Sequence, residues 1–141
     1  MAERILTANV RETGESSFAV AIDVDGHLLK GDQPESAGGA NLGPDPHEML
    51  LASLGECTAM TVRWYARQHN WPLDEVSVAL TYRHGTIEGQ TGLKDIFTKA
   101  VHLTGAALTP EQHAKLIDVA AKCPIQRLLE GTPIIRTSEQ V

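Results

Sequence analysis

Apolar and polar residues alternate early in the chain. Phe18, Val20, Ile22 and Val24 occupy every second position, the period of a strand with one buried face. The segment Arg4 to Arg11 precedes it through Thr13-Gly14-Glu15-Ser16 and reads as its hairpin partner. Asp25-Gly26 is a two-residue turn signal, so His27 to Lys30 returns as a third strand and completes a meander. From Gly31 to Asp45, GDQPESAGGANLGPD has no period and is crowded with Gly, Pro, Ser and Asn, which predicts a long loop. Loops of this length are uncommon in compact domains unless they serve a site or an interface, and a mobile connector is the plain alternative.

The pattern then changes to a helical one. Asp45 suits an N-cap, Pro46 the first helical position and Glu48 the third, where it closes a capping box. The helix is predicted to run to about Asn70, with Leu50, Leu54, Cys57, Thr61 and Trp64 along one side. Met49, Leu51, Ala52, Met60, Val62 and Tyr65 widen the apolar surface well beyond one stripe, which predicts a mostly buried helix. Pro72 closes it. Val76 to Tyr82 alternates as a strand, Gly85 to Gly92 is a polar turn region, and Ile96 to Leu103 makes another strand. Thr109-Pro110-Glu111-Gln112 repeats the start signal for a helix ending near Cys123. Pro124 to Glu130 is a short separate helix stopped by Gly131, and Ile134 to Thr137 is expected as a final strand. Strands come in runs rather than in alternation with helices, so the fold class is α+β.

Composition narrows the function. At 141 residues the chain has the length of one domain, 1–141, able to bury a core without staples. A formal charge of −6 and the lack of any Lys/Arg block argue against nucleic acid and against a polybasic membrane patch. The Met49 to Tyr65 stretch is interrupted by Glu56 and Arg63 and is too short to span a bilayer. MAERILTANV has no apolar export segment. A cytoplasmic location is expected, where thiols stay reduced and Cys57 and Cys123 are either chemical or simply buried.

A reactive cysteine works as its thiolate and needs positive charge or oriented N–H groups beside it. Cys123 directly precedes Pro124 and falls at the N-cap of the short helix, with Arg127 one turn on. Cys57 is mid-helix, where its own helix offers no free N–H and apolar surroundings oppose ionisation. Local chemistry therefore favours Cys123 as the nucleophile. The competing interpretation is structural, since free cysteine usually packs as a small apolar side chain. The histidines at 27, 47, 69, 84, 102 and 113 are scattered and no C-x-x-C spacing occurs, so neither a metal nor any other cofactor is called for.

Gly38 to Val76, GGANLGPDPHEMLLASLGECTAMTVRWYARQHNWPLDEV, together with AAKCPIQRLLEG, Ala120 to Gly131, resembles the osmotically inducible protein C (OsmC) family, which includes the organic hydroperoxide resistance proteins. Three features coincide: a GPxPxE loop entering the central helix, a cysteine nine residues after that glutamate, and a later K-C-P. The resemblance implies an OsmC-like fold with an N-terminal β-meander, long central helix, β-hairpin, second helix and C-terminal strand, assembled as an intertwined homodimer with its site at the subunit interface. It further implies a peroxidase in which Cys57 attacks an organic hydroperoxide and Cys123 resolves the sulfenic acid as a disulfide. A cellular dithiol or lipoyl-type reductant would then restore the thiols.

Peroxidase members of that family add an arginine from the N-terminal half and a glutamate at the start of the central helix. Counting back from Cys57, the glutamate position falls on His47, with Glu48 one residue later. No arginine lies between Arg11 and Arg63, which makes Arg11 the nearest candidate. Two functions follow. One is a thiol-dependent peroxidase; the other is a binding module that holds a small apolar or electrophilic molecule, with Cys57 as a packing residue or slow modification site.

Overall fold

The computed structural model describes residues 3–140. These fall into two compact units, one ending at Leu50 and one beginning at Leu51.

In the first unit, strands β1 (Asn9–Glu12), β2 (Val20–Val24) and β3 (His27–Gly31) form an antiparallel sheet in the order β1-β2-β3. The predicted hairpin turn is present: Asp25 and Gly26 have φ of 53° and 80°, the left-handed pair that a tight two-residue turn between twisted strands requires. Val10, Ile22 and Leu29 stand opposite one another across the three strands. Strand β1 is shorter than the expected Arg4 to Arg11, because Asn9 already pairs with Asp23 beside the turn. Only Val24 of β2 remains beyond that pair before the turn.

The aperiodic segment after β3 is organised around Asp32, which is 4% exposed. Its carboxylate accepts hydrogen bonds from the Ser16 hydroxyl (2.8 Å) and from the backbone N–H groups of Gln33 (2.8 Å), Ala40 (3.1 Å) and Leu42 (3.2 Å). One side chain thus gathers both ends of the loop around a single 3₁₀ turn, Glu35–Ala37. Gly39 has to be glycine in this arrangement, since a Cβ there would collide with the Gln33 carbonyl. The loop delivers the chain to helix α1 (Pro46–Gln68). The capping box forms as predicted: the Glu48 N–H donates to Asp45 Oδ1 at 2.9 Å, and the Asp45 N–H donates to Glu48 Oε1 at 3.0 Å.

The second unit holds the rest of α1, the long hairpin β4 (Glu75–Gly85) and β5 (Lys94–Thr104), and helices α2 (Pro110–Ala120) and α3 (Pro124–Glu130). In β4, Val76, Val78, Leu80 and Tyr82 are half-buried while their neighbours are exposed. Across the hairpin they pair with Leu103, Val101, Lys99 and Phe97. Helix α2 starts at the second predicted capping box, with Gln112 N–H to Thr109 Oγ1 at 3.1 Å and Thr109 N–H to Gln112 Oε1 at 3.0 Å. The core joins Val62 and Ala66 of α1, Leu73, Leu103 of β5, and Leu116 and Ala120 of α2, with Tyr65 and Trp71 packed against it. Where α1 crosses β4, Gly55 permits a close approach: a Cβ would lie 2.7 Å from Leu80 Cδ1.

Two expectations need correction. The buried side of α1 is Leu54, Gly55, Thr58, Val62 and Ala66; of the expected stripe Leu50, Leu54, Cys57, Thr61 and Trp64, Leu54 is buried, Leu50, Cys57 and Thr61 are half-buried and Trp64 is exposed. Met60 and Trp64 are 62% and 60% exposed, so the helix is buried on one side only. A single hairpin and one short helix cover one ridge of a helix and leave the opposite one open. The C-terminal strand expected at Ile134 to Thr137 does not form. Both described sheets consist of β1–β3 and β4–β5 alone, and a β-branched run with no ladder partner stays irregular, with Ile134 and Ile135 82% and 85% exposed. Among the described residues, no helix is long and apolar enough to cross a membrane.

Candidate active site

Helix α1, strand β5 and the α2–α3 junction converge on two sulfurs in the second unit. The sequence dictates the α2–α3 geometry. Pro124 cannot continue α2, which stops at Ala121, and instead starts α3 with Cys123 as its N-cap in extended conformation (φ −67°, ψ 149°). The Gln126 N–H donates to Cys123 Sγ at 3.4 Å, as the K-C-P reading anticipated. Cys123 is wholly buried, and Cys57 is half-buried.

Thr58 sits on the buried ridge of α1, one residue after Cys57. Its Oγ1 lies 2.7 Å from the Leu54 carbonyl and 3.5 Å from Cys123 Sγ. Lys99, paired with Leu80 on the inward face of the hairpin, donates from Nζ to Thr58 Oγ1 at 3.0 Å and to the Ala120 carbonyl at 2.7 Å. The positive charge beside Cys123 therefore comes from Lys99, not from the exposed Arg127 that the sequence suggested. Burial pushes the Cys123 thiol up, but the Thr58 hydroxyl, the Gln126 N–H, the Cys57 side chain and the Lys99 ammonium together outweigh it. The thiol is held below its ordinary value. The Cys57 side chain is among the groups that favour the Cys123 thiolate, and Thr58, the residue after Cys57, touches Cys123 Sγ, so the unit holds the two cysteines near one another. On its other side Cys57 Sγ is 4.0 Å from Thr61 Oγ1, whose hydroxyl bonds back to the Cys57 carbonyl at 2.7 Å.

A cavity of about 440 Å³ opens beside this cluster, lined by Leu54, Phe97, Lys99, Gln126 and Leu129 with Asp95 at its polar side. Gln126 Oε1 is itself buried in the protein with no hydrogen-bond partner.

A family profile described as OsmC-like protein matches residues 38–138. The chain belongs to the OsmC-like protein family. Solved structures carry the same fold at low identity. An organic hydroperoxide resistance protein OsmC from Legionella pneumophila is 21% identical, with a TM-score of 0.68 over 93% of each chain. An organic hydroperoxide resistance protein from Elizabethkingia anophelis is 19% identical, TM-score 0.68, over 92% of this chain and 91% of that one. The organic hydroperoxide resistance protein OhrB of Bacillus subtilis is 20% identical, TM-score 0.59, over 91% and 92%. Among curated proteins none matches.

The other residues singled out from the sequence of this OsmC-like chain lie in its first unit. Glu48 is engaged as the third helical residue of the α1 cap, His47 is the second residue of that helix, and Arg11 is an exposed residue of β1 opposite Ala21. Sequence reasoning missed Lys99, Thr58 and Gln126. A signal for Lys99 was present: it interrupts the otherwise apolar alternation Phe97, Val101, Leu103 on the inner face of β5.

Proposed function

We propose that this chain is a thiol peroxidase that reduces organic hydroperoxides through Cys57 and Cys123. The observation that carries the proposal is the meeting of two free cysteines in one cluster, one half-buried and one wholly buried with its thiolate favoured. In it, the Cys57 thiolate attacks the distal peroxide oxygen. The O–O bond breaks, the alkoxide takes a proton and leaves as the alcohol, and Cys57 becomes a sulfenic acid. The Cys123 thiolate then attacks the Cys57 sulfur. A proton converts the departing hydroxide to water, and the Cys57–Cys123 disulfide forms. A cellular dithiol or lipoyl-type compound returns the pair to thiols.

Within the proposal Cys57 is the attacking sulfur because it is the more accessible, whereas Cys123 needs only to reach its neighbour. Glu48 is given the capping role that its hydrogen bonds describe. No part is assigned to Arg11, because Lys99 supplies positive charge in the cluster. The two units act as one domain, in a homodimer in the cytoplasm; the uncovered Met60 and Trp64 on α1 support the dimer. The relatives' names as organic hydroperoxide resistance proteins support the substrate class.

Stopped-flow oxidation of the reduced protein by cumene hydroperoxide and by hydrogen peroxide, with thiols counted before and after, tests the proposal. Loss of both thiols, faster with the organic peroxide, is expected. A second reading, a small-molecule binding protein on the same fold, draws on the cavity beside the thiols, lined by Leu54, Phe97 and Leu129. It takes over if neither thiol is consumed.

A further inference from the structure

Thr58 has one hydroxyl proton and two acceptors within reach, the Leu54 carbonyl at 2.7 Å and Cys123 Sγ at 3.5 Å. Lys99 Nζ occupies the oxygen of the same hydroxyl as a donor, at 3.0 Å, and is itself anchored on the Ala120 carbonyl at 2.7 Å. A neutral thiol is a weak acceptor, so with Cys123 protonated the hydroxyl proton goes to the nearer carbonyl. A thiolate is a strong acceptor and draws the proton to sulfur. Because Lys99 fills a lone pair of the oxygen, the O–H is polarised and donation to sulfur is strengthened.

We propose that the Lys99–Thr58 pair controls the redox cycle by stabilising charge on Cys123, so that Cys123 is the sulfur that departs when the Cys57–Cys123 disulfide is reduced. The proposal rests on the disulfide cycle above and names the residues that set its direction. In the step concerned, the thiolate of the reducing dithiol attacks Cys57 Sγ. A bond forms between the reductant sulfur and Cys57, the Cys57–Cys123 bond breaks, and its electron pair leaves on Cys123. The second thiolate of the reductant then attacks its own sulfur bound to Cys57, closing the reductant's disulfide and releasing Cys57 as a thiolate. Two electrons pass from the dithiol to the cysteine pair.

Attack is directed to Cys57 for two reasons. It is the half-exposed sulfur, whereas Cys123 is fully buried. Exchange is also faster when the departing sulfur is the better-stabilised thiolate, and Cys123 alone receives the Thr58 hydroxyl and the Gln126 N–H. Lys99 acts through the hydroxyl and through its charge and is a positioning residue. The same pair serves the oxidative half, by keeping Cys123 as the thiolate that attacks the sulfenic acid.

The test uses the full chain. In a Cys57→Ser background, the thiolate absorbance at 240 nm is followed against pH for the parent, Lys99→Met, Lys99→Arg and Thr58→Val. The midpoint should rise by about one unit in Lys99→Met and in Thr58→Val, while Lys99→Arg stays near the parent. With both cysteines present, reduction of the preformed disulfide by dithiothreitol should slow by about threefold or more in Lys99→Met and Thr58→Val. Thr58→Val keeps the shape of the side chain and leaves Lys99 in place, so it decides the matter alone if Lys99→Met does not fold. A midpoint that stays or falls in Thr58→Val overturns the proposal. A wild-type protein that forms no disulfide under peroxide refutes the peroxidase cycle instead, and the titration still reports whether Lys99 and Thr58 act on Cys123.

Discussion

Glu48 separates the architecture of the helix entry from the chemistry of the thiols. Its Oε1 accepts the Asp45 N–H at 3.0 Å, and its own N–H donates to Asp45 Oδ1 at 2.9 Å. Glu48→Gln keeps an amide oxygen for the Asp45 N–H and loses only the favourable placement of negative charge at a helix N-terminus, worth about 0.3–1 kcal/mol. Glu48→Ala also removes one of the two reciprocal bonds. Loss of a capping partner costs about 0.5–2 kcal/mol, so alanine should be the more damaging substitution. Urea unfolding followed by circular dichroism measures both costs. Because the carboxylate is occupied by the cap, Cys57 oxidation by an organic hydroperoxide should proceed in Glu48→Gln at close to the parent rate. Slowing of tenfold or more, about 1.4 kcal/mol of barrier, with stability nearly intact would refute this and return Glu48 to the reacting groups.

Leu116 is fully buried at the centre of the second unit's core, so Leu116→Ala should destabilise the protein by about 2–5 kcal/mol in urea titrations; a cost below about 1 kcal/mol would contradict that packing. Burial works against the Asp32 charge, but the Ser16 hydroxyl and the N–H groups of Gln33, Leu42 and Ala40 outweigh it and hold this carboxyl below the usual range. A lowered folded-state pKa gives stability that is present above the unfolded value, near pH 4, and is lost as the pH falls through the folded one. Asp32→Asn should therefore flatten the acid limb of stability against pH, and an unchanged limb would exclude Asp32 as its source. With Met60 and Trp64 uncovered on α1, the protein should sediment as a dimer at micromolar concentration and Trp64→Glu should shift it toward monomer; a parent protein that is cleanly monomeric removes the assembly from the account.

Features governed by neighbours in the chain were legible in the sequence. Asp45 with Glu48 and Thr109 with Gln112 are three apart, and both form the reciprocal caps their spacing describes. Asp25-Gly26 turns as its residue types demand, and Cys123-Pro124 starts a helix because proline lacks the N–H that would continue α2. What the sequence left hidden depends on distant partners. The apolar positions of α1 are too many to mark a buried ridge, and distant partners pick it out: Leu80 against Gly55, Lys99 and Cys123 against Thr58, and the Leu103 and Leu116 cluster with Val62. Lys99 reads as one charged residue in a strand until the hairpin turns it toward Thr58 and Ala120. The Ile134 to Thr137 run has strand-forming residues but no adjacent edge among the described strands, and propensity does not supply one. The resemblance to the OsmC family, carried by the GPxPxE loop and the two cysteines, anticipated the fold that relatives about one-fifth identical share.

The central claim, that Cys57 attacks peroxide and Cys123 resolves the product, is tested most directly by peptide mass mapping after a brief organic hydroperoxide pulse on the wild type, Cys57→Ser and Cys123→Ser. The account predicts a Cys57–Cys123 disulfide in the wild type. In Cys123→Ser it predicts a Cys57 sulfenic acid that advances to the sulfinic state under excess oxidant. In Cys57→Ser, Cys123 should react slowly, because its thiolate is favoured but wholly enclosed. Rapid oxidation of Cys123 in the absence of Cys57 would contradict the account and make the buried N-cap cysteine the sulfur that meets the peroxide.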